Sequence, residues 1–449
     1  MNWLAWKAPL RGCSICSTEL VCQQGPELMN WKALEQALFE AARKPLQTLL
    51  DEGGSPLYAA AFHASYREEE AVLSLPNFAA NSLEALSEDF PDEEDESFSS
   101  VKWNPVDWRW DWEICSGEPL TRLDDELQAH ANRLGPRQWH AAEQRLLVTV
   151  SRAARSLGRH FSQHPGVTPG FVVIFHDFAG YMPLAKRSMT RQQFENNFPV
   201  ELAIENTLRD VAALPLTEQV AFYVSSLHCS EGISREDAER WLIANGRCAQ
   251  AALIDQLNGD REPTAAARIL GLAGLADGPV IQALRRQAIE ACEQPTRNWC
   301  TKALGYLKDF DWLMQQAPDV AVAGICANFD GFRWRGVEPP VLDYTPVERL
   351  LDQRPELQTA VEAALEELNG QIDTTTADVS EALRGIVSPQ AAIRRHAVSG
   401  LNNRGLLPGD ALRAIDGLHL ATEDTDEQVR HLAGLGLKAM SPSFGHRPC

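Results

Sequence analysis

The chain has 449 residues, of which 44% are hydrophobic and 23% are charged, and its formal net charge is −21. This composition is that of ordinary globular proteins, and it excludes disordered, collagen-like and membrane-spanning chains. The excess of carboxylates argues against nucleic acid as a partner, because phosphate backbones bind clustered Lys and Arg, and it favours a basic protein partner.

The first 28 residues hold Cys13, Cys16 and Cys22, without a fourth metal ligand nearby and without the apolar core of a signal peptide. A zinc site needs four ligands, so we predict neither a metal site nor secretion from this segment. An amphipathic helix begins just after Met29. Two alternatives stay open: residues 1–28 are an extension ahead of a start at Met29, or Met1 is the start.

The next hundred residues alternate between helix and strand patterns. Residues 30–50 have the apolar spacing of a helix that ends near Gly53 and Gly54. Residues 57–66 read as a buried strand, and 71–75 as its hairpin partner across a charged turn. A short helix is predicted at 82–87.

An acidic run follows, with seven carboxylates in residues 88–96. Such a run is typical of a solvated loop. The functional alternative is a surface that attracts a cationic partner through its field. Under that alternative the candidate partner-binding residues of the run are Asp92, Glu93, Glu94, Asp95 and Glu96.

Four tryptophans lie just beyond the acidic run. Trp108, Trp110 and Trp112 alternate with charged residues, which predicts a strand with one aromatic and one charged face, and Trp103 precedes them. Two interpretations stay open. The rings either pack a sheet against helices, or they anchor a binding surface, where tryptophan is a frequent hot spot. Trp103, Trp108, Trp110 and Trp112 are therefore candidate partner-binding residues.

Helices are predicted at 120–134 and 136–159, followed by an apolar strand at 171–177. Strands and helices are thus mixed up to about residue 200. We predict an α+β domain over residues 29–200, with a mainly antiparallel sheet and flanking helices.

Beyond residue 201 the strand patterns stop and short helical patterns recur to residue 449. Gly271 and Gly305 occupy matching positions 34 residues apart, and Gly400 and Gly436 do so 36 residues apart. A helix pair repeated at this period buries its apolar face only by stacking on its neighbours, which predicts an all-α repeat domain.

The repeated units resemble HEAT-type repeats. The sequence Asp424-x-Asp426-x-x-Val429-Arg430-x-x-Ala433-x-x-x-Leu437 follows that pattern most closely, and the unit from Ser388 to Leu401 is similar. This resemblance implies a HEAT-like solenoid over roughly residues 213–440. An aromatic, Gly- and Pro-rich insertion at 329–346 interrupts it, so the number of repeats stays open.

The front domain resembles a bacterial family of uncharacterised domains found beside polymorphic toxins. The matching pieces are the strand from Leu57 to Phe62, Lys102-Trp103-x-Pro105-x-x-Trp108, the strand from Phe171 to Asp177, and Ser188-Met189-Thr190 with Phe194 and Phe198-Pro199. The resemblance implies an immunity-type or toxin-associated role in the bacterial cytosol, and it implies no catalytic residues.

Candidate chemistry is sparse. His160 and His164 have the spacing of metal ligands on a helix, and His176-Asp177 could complete such a site, but ordinary polar histidines at a helix end explain the same pattern. The sequence has no phosphate loop, dinucleotide fingerprint or nucleophile elbow. We predict no catalytic residue, no metal and no cofactor.

The remaining cysteines are scattered along the chain. They are Cys115, Cys229, Cys248, Cys292, Cys300, Cys326 and Cys449. Because several fall inside apolar helical patterns, we expect buried free thiols in a reducing compartment, which indicates the cytoplasm.

These observations favour a non-enzymatic immunity protein that neutralises a basic toxin by occlusion. One alternative is an enzyme or enzyme accessory on a HEAT-like scaffold, such as a DNA glycosylase, although that class needs a cationic groove. The other alternative is a general scaffold or adaptor without a toxin partner.

Overall fold

The structure is a computed structural model. It describes residues 29–68, 72–92, 95, 97–132, 136–176, 182–228, 233–330, 336–337, 341–368, 375–402, 406 and 408–440.

The first part of the chain contains six strands and seven helices among these residues. They are α1 (Trp31–Glu52), β1 (Leu57–His63), β2 (Arg67–Glu68), β3 (Val72–Leu73), β4 (Asn77–Ser82), α2 (Leu83–Asp89), β5 (Trp110–Trp112), α3 (Leu120–Ala131), α4 (Pro136–Phe161), β6 (Val167–Phe175), α5 (Met182–Arg187), α6 (Arg191–Asn197) and α7 (Pro199–Ala212). Short 3₁₀ turns at Val101–Trp103, Pro105–Asp107 and Ile114–Ser116 flank β5.

The predicted helices of this part are confirmed, and their starts have visible causes. The Asn30 side chain accepts a hydrogen bond from the Ala33 N–H at 3.1 Å at the start of α1. Ser82 does the same for Ala85 at the start of α2, also at 3.1 Å. Such caps satisfy N–H groups that a helix cannot pair internally. Gly53, with φ of +76°, follows the end of α1.

The predicted hairpin partner of the first strand is wrong. Residues 72–73 pair only with β2 in a separate two-stranded ladder, and the antiparallel neighbour of β1 is β4, with Phe62 opposite Phe78. Every residue of β1 is buried, so its neighbours must be buried as well. β4 is buried over five of its six residues and meets this requirement.

The main sheet has the strand order β5, β4, β1, β6. β1 pairs with β4 and β4 with β5 in antiparallel fashion, whereas β1 and β6 are parallel, with Phe62 beside Phe175. The sheet is therefore mixed, with two antiparallel pairings and one parallel pairing. The parallel pairing needs a long crossover, which α2, α3 and α4 provide.

Both faces of this sheet are covered. One face packs on α1, α3 and α4 through Ala60, Phe62, Phe78, Ala80, Val173 and Phe175. The other face packs on aromatic side chains, including Trp103, Trp108, Phe194 and Phe198, through Ala59, Ala61, Ala79, Val172 and Ile174. Alternate residues of each strand thus enter two different cores, as the period of two requires.

The rest of the described chain is helical. Its elements are α8 (Leu216–Ser225), α9 (Arg235–Ala244), α10 (Gly246–Asn258), α11 (Pro263–Leu272), α12 (Gly278–Glu290), α13 (Gln294–Tyr306), α14 (Phe310–Leu313), α15 (Pro318–Cys326), α16 (Thr345–Gln353), α17 (Gln358–Leu368), α18 (Thr376–Gly385), α19 (Ala391–Leu401), α20 (Pro408–Ala421) and α21 (Glu427–Met440). α11, α13, α15, α17, α19 and α21 contact one another in that order.

The glycines of the predicted 34-residue period lie where these helices meet. A Cβ on Gly271 would lie 2.8 Å from the Cα of Ala303 in α13. A Cβ on Gly305 would overlap the carbonyl oxygen of Gly324 in α15. The close spacing of α11, α13 and α15 therefore requires a residue without a side chain at both positions.

Ion pairs link successive parts of the helical region. Arg394 and Arg395 of α19 bind Asp424 and Asp426, just before α21, with closest distances of 2.8 and 2.5 Å. The hydrogen bond from Arg395 lowers the pKa of Asp426 to about 2. Farther back, Arg268 of α11 binds Glu239 of α9.

The described chain divides into two compact units between Asn206 and Thr207, within α7. The sequence placed this boundary at residue 200. Residues 1–28 lie outside the described part of the chain, so the two alternatives for the start stay as they were.

Candidate partner-binding site

Trp103 and Trp108 are core residues and cannot form an exposed patch. Trp103 is 1% exposed and Trp108 is 5% exposed. The centroid of the Trp103 ring lies 4.4 Å from that of Phe198 and 5.5 Å from that of Tyr58. The Trp108 Nε1–H donates to the Lys102 carbonyl at 3.1 Å. For these two rings the first interpretation holds: they pack against one face of the sheet and do not anchor a binding surface.

Trp110 and Trp112 are half-buried and lie on the opposite face of the sheet. They sit opposite Ala80 and Phe78 of β4, and the rings of Phe78 and Trp112 stack with centroids 5.9 Å apart. The predicted strand is confirmed, but it spans only Trp110–Trp112. The four tryptophans therefore do not form one aromatic face.

The charged side of β5 is occupied by ion pairs at one end. Arg109 donates to both oxygens of Asp89, at 2.6 and 3.0 Å, and to Glu88 at 2.8 Å, so that it ties β5 to the end of α2. This hydrogen bonding lowers the pKa of the Asp89 carboxyl. All three side chains are exposed, so these ion pairs add little to the stability of the fold. Their effect is to fix the position of Arg109 relative to the end of α2.

Several carboxylates of the same segment are exposed and stand apart from these ion pairs. Among the described residues they include Glu84, Asp92, Asp111 and Glu113. Asp95 is also exposed and accepts a hydrogen bond from the Ser97 N–H at 2.8 Å. Glu93, Glu94 and Glu96 lie outside the described residues.

The charge of the first unit is concentrated in this segment. Residues 84–118 contain twelve carboxylates and two cations, whereas the rest of residues 1–206 contain seventeen carboxylates and sixteen cations. Outside the segment, the unit is nearly neutral. We call residues 84–118 the acidic segment. A concentration of charge of one sign can raise the rate of encounter with a partner of opposite charge.

The sequence did not predict one polar contact at this end of the sheet, between His63 and Asp111. His63 ends β1, is 3% exposed, and places its Nε2 2.9 Å from Asp111 Oδ1. Its Nδ1 has no hydrogen-bond partner among the described residues. A histidine that ends an apolar strand is the only signal in the sequence, because the partner depends on how the strands are ordered.

The histidines that could have held a metal have other contacts. His160 is exposed at the end of α4 and packs edge-on against Phe39, while His164 Nδ1 accepts from the Gly166 N–H at 3.1 Å. His176 follows β6, and its N–H donates to the Phe62 carbonyl at 2.8 Å. Asp177 is not described. Within the described ranges, no group of three or more His, Cys, Asp or Glu side chains is arranged to hold a metal.

The cysteines are only partly as expected. Cys300 and Cys326 are buried, and burial raises the pKa of each thiol to about 12; the half-buried Cys115 is raised to about 12 by the same cause. Cys248 and Cys292 are exposed, which contradicts the prediction of buried thiols for them. Cys248 lies in the first turn of α10, and Cys292 lies in the connection between α12 and α13. Cys229 and Cys449 lie outside the described residues.

In the described part of the chain, no helix combines the length and the apolar character that a membrane crossing requires. Around β5, the available groups are carboxylates, half-buried indoles and backbone amides, which suit recognition of a cationic and partly apolar surface. In comparisons with known proteins, no family model matches the chain, and no curated protein is significantly similar to it.

Proposed function

We propose that this chain is a bacterial immunity protein that binds a basic toxin in the cytosol and blocks it by occlusion, without catalysis or a cofactor. The observation that carries the proposal is the concentration of negative charge in the acidic segment, within a unit that is otherwise nearly neutral. A protein that acts by binding needs a complementary surface and no reactive group. A localised field also favours one orientation of the incoming partner.

The side chains around β5 support a binding role in two ways. Exposed carboxylates such as Asp92 and Glu113 attract cations over roughly a Debye length, about 8 Å at physiological ionic strength. Trp110 and Trp112 are half-buried, so their rings are held by the sheet while part of each stays accessible. A held aromatic ring loses little conformational entropy on binding, which is why such rings are frequent anchors.

We also propose that the helical unit is a HEAT-type solenoid. Stacked contacts from α11 to α21 support this assignment, as do the two glycines at equivalent helix contacts. The pairs of Arg394 with Asp424 and Arg395 with Asp426 support it as well, since they join one predicted repeat to the next. Such an array offers a second extended surface to a partner.

Co-expression with any toxin candidate encoded next to this gene tests the function. The native chain should restore growth of cells that produce the cognate toxin and should form a complex with it in vitro. The triple variant Glu84→Gln, Asp92→Asn, Glu113→Gln should associate roughly tenfold more slowly at low salt, because it loses three exposed charges of the field.

The matched control is Glu35→Gln, Glu52→Gln, Asp125→Asn, which removes three carboxylates of the same unit outside the acidic segment. None of the six carboxylates has an ion pair among the residues that the structure describes. The control should bind like the native chain. Equal association of the two triple variants would overturn the role of the acidic segment. Absence of both rescue and binding with every neighbouring candidate would overturn the immunity function.

A further inference from the structure

The two edge strands of the main sheet, β6 and β5, differ in whether side chains bond their free backbone groups. β6 has β1 on one side, and side chains from the following segment bind several of its backbone groups. The hydrogen-bonded pairs are Ser188 with Phe175, Asn197 with Gly170, and Gln193 with Phe171, at 3.1, 3.1 and 3.2 Å. An edge strand whose peptide groups are occupied in this way is protected from pairing with another chain.

β5 at the opposite end of the sheet has no such cover in the described part of the chain. Its backbone hydrogen bonds all go to β4, and no described side chain bonds the peptide groups of Trp110, Asp111 or Trp112. In an antiparallel pair, successive residues direct their N–H and C=O groups alternately toward and away from the partner strand. At least one residue of β5 therefore offers both groups to an additional strand.

The side chains of β5 define which strand would fit. Trp110 and Trp112 lie on one face, and the exposed Asp111 lies on the other; the exposed Glu113 directly follows β5. Residues directly opposite on neighbouring strands share a face, and opposite charges there stabilise the pair. On the same side of the sheet, Asp111 Oδ1 contacts His63 Nε2 at 2.9 Å, and Arg109, which precedes β5, is bound to Glu88 and Asp89.

We propose that β5 accepts an extended segment of the partner as a fifth strand of the sheet, with basic residues beside Asp111 and Glu113 and apolar residues beside Trp110 and Trp112. This inference rests on the proposed function, because it names how the basic partner engages the same site. Main-chain hydrogen bonds supply affinity in this mode of recognition, and the alternating side chains supply specificity. The recognised element is an exposed strand in which basic and apolar residues alternate.

A peptide pair tests strand addition separately from attraction by charge. The probe is a fluorescent nine-residue peptide of alternating valine and lysine, and the control is the same peptide with every backbone nitrogen methylated. Both have the same side chains and charge, but the control cannot donate main-chain hydrogen bonds. The binding of each to the full chain is measured by fluorescence anisotropy. Hydrogen exchange of the Trp110, Asp111 and Trp112 amides is followed in parallel.

We expect the unmethylated peptide to bind about tenfold more tightly than the control, the effect of two ordinary hydrogen bonds, and to slow exchange in β5. Glu113→Lys should weaken its binding severalfold. Equal binding of the two peptides, or unchanged exchange in β5, overturns strand addition and leaves the acidic segment as a purely electrostatic surface. Failure of both peptides to bind also overturns it, while the toxin experiment decides the proposed function independently.

Discussion

The two units of the chain have nearly the same net charge but arrange it in different ways. Residues 1–206 contain 29 carboxylates and 18 cations, and residues 207–449 contain 33 and 23. In the helical unit, many charges are bound across helices, as in the pairs of Arg285 with Asp309 and Arg394 with Asp424. In the first unit, most of the excess lies in one segment of 35 residues.

This difference separates two uses of charge. A pair such as Arg395 with Asp426 is largely shielded from water and fixes one helix relative to the next. An exposed carboxylate such as Asp92 contributes almost nothing to folding, but its field extends into solvent. Removing a paired charge such as that of Asp426 should therefore change stability, and removing an exposed charge such as that of Asp92 should change binding. The contrast is clearest when a carboxylate is replaced by its amide in both units.

The largest effect should come from the aromatic core of the first unit. Trp103→Ala removes a ring that is 1% exposed, and we expect it to lower the free energy of unfolding by about 3–5 kcal/mol, as measured by chemical denaturation. Trp110→Ala is the matched control. Because Trp110 is half-buried, its truncation should cost clearly less. Equal costs would show that β5 is as much a core element as the turn before it.

The second largest effect should come from helix spacing in the helical unit. Gly305→Ala places a methyl group against the Gly324 carbonyl, and we expect a loss of about 1–3 kcal/mol through strain. Gly434→Ala in α21 is the control, because nothing lies within 4 Å of the added Cβ. That change should stabilise the helix by about 0.5–1 kcal/mol. Urea titrations measure both effects: the midpoint of unfolding should fall for Gly305→Ala and rise for Gly434→Ala. The reverse order would contradict the prediction.

A paired charge should have an effect that depends on pH. The pKa of Asp426 is about 2 in the folded chain, below its ordinary value of 3.8, so the ionised carboxylate stabilises the fold at all pH values above about 4. This stabilisation is lost as the pH falls from about 4 through 2.

Asp426→Asn keeps an oxygen that can accept the Val429 N–H bond but removes the charge. We expect the variant to be less stable than the native chain by roughly 1–2 kcal/mol at pH 7. The difference should shrink toward zero near pH 2. Denaturant titrations of both proteins at several pH values would show this convergence, and a difference that stays constant with pH would contradict it.

The smallest effect on stability should come from the acidic segment. The variant Glu84→Gln, Asp92→Asn, Glu113→Gln should unfold within about 0.5 kcal/mol of the native chain, since exposed charges without partners hold no structure together. Thermal unfolding of the variant and the native chain measures this difference in stability. A loss as large as that of Asp426→Asn would show that the exposed carboxylates stabilise the fold as much as a paired one does.

Features that depend on local patterns were predictable from the sequence. The helices α1, α3 and α4 follow from apolar spacing, and the period of Gly271 and Gly305 marks the helix contacts that the structure shows. Both signals lie within a few turns of the residues that they concern. Local periodicity therefore specifies an element and the face that it buries.

Features that depend on strand order were not predictable. The sequence does not show that β6 lies beside β1, because the two strands are separated by three helices and the rest of the sheet. The division of the tryptophans between two faces has the same origin. Trp108 precedes β5 and follows the turn at Pro105–Asp107, so it does not continue the alternation of Trp110 and Trp112.

The candidate site was found only in part. The acidic residues and β5 were predicted, but the contact of His63 with Asp111 needs β1, β4 and β5 to be placed side by side. The expectation of buried thiols also failed for Cys248 and Cys292, because Cys248 lies in the first turn of α10 and Cys292 lies between two helices, where the apolar helical pattern does not decide burial.

The parallel pairing of β1 with β6 has a consequence for folding during synthesis. Phe62 and its neighbour Phe175 are separated by more than a hundred residues, which a ribosome adds in about 6 to 23 s at 5–20 residues per second. During this interval an apolar strand has only one of its two neighbours, and it is exposed to chaperones and to other nascent chains. The helical unit pairs mostly neighbouring helices, so each of its turns can fold soon after it emerges.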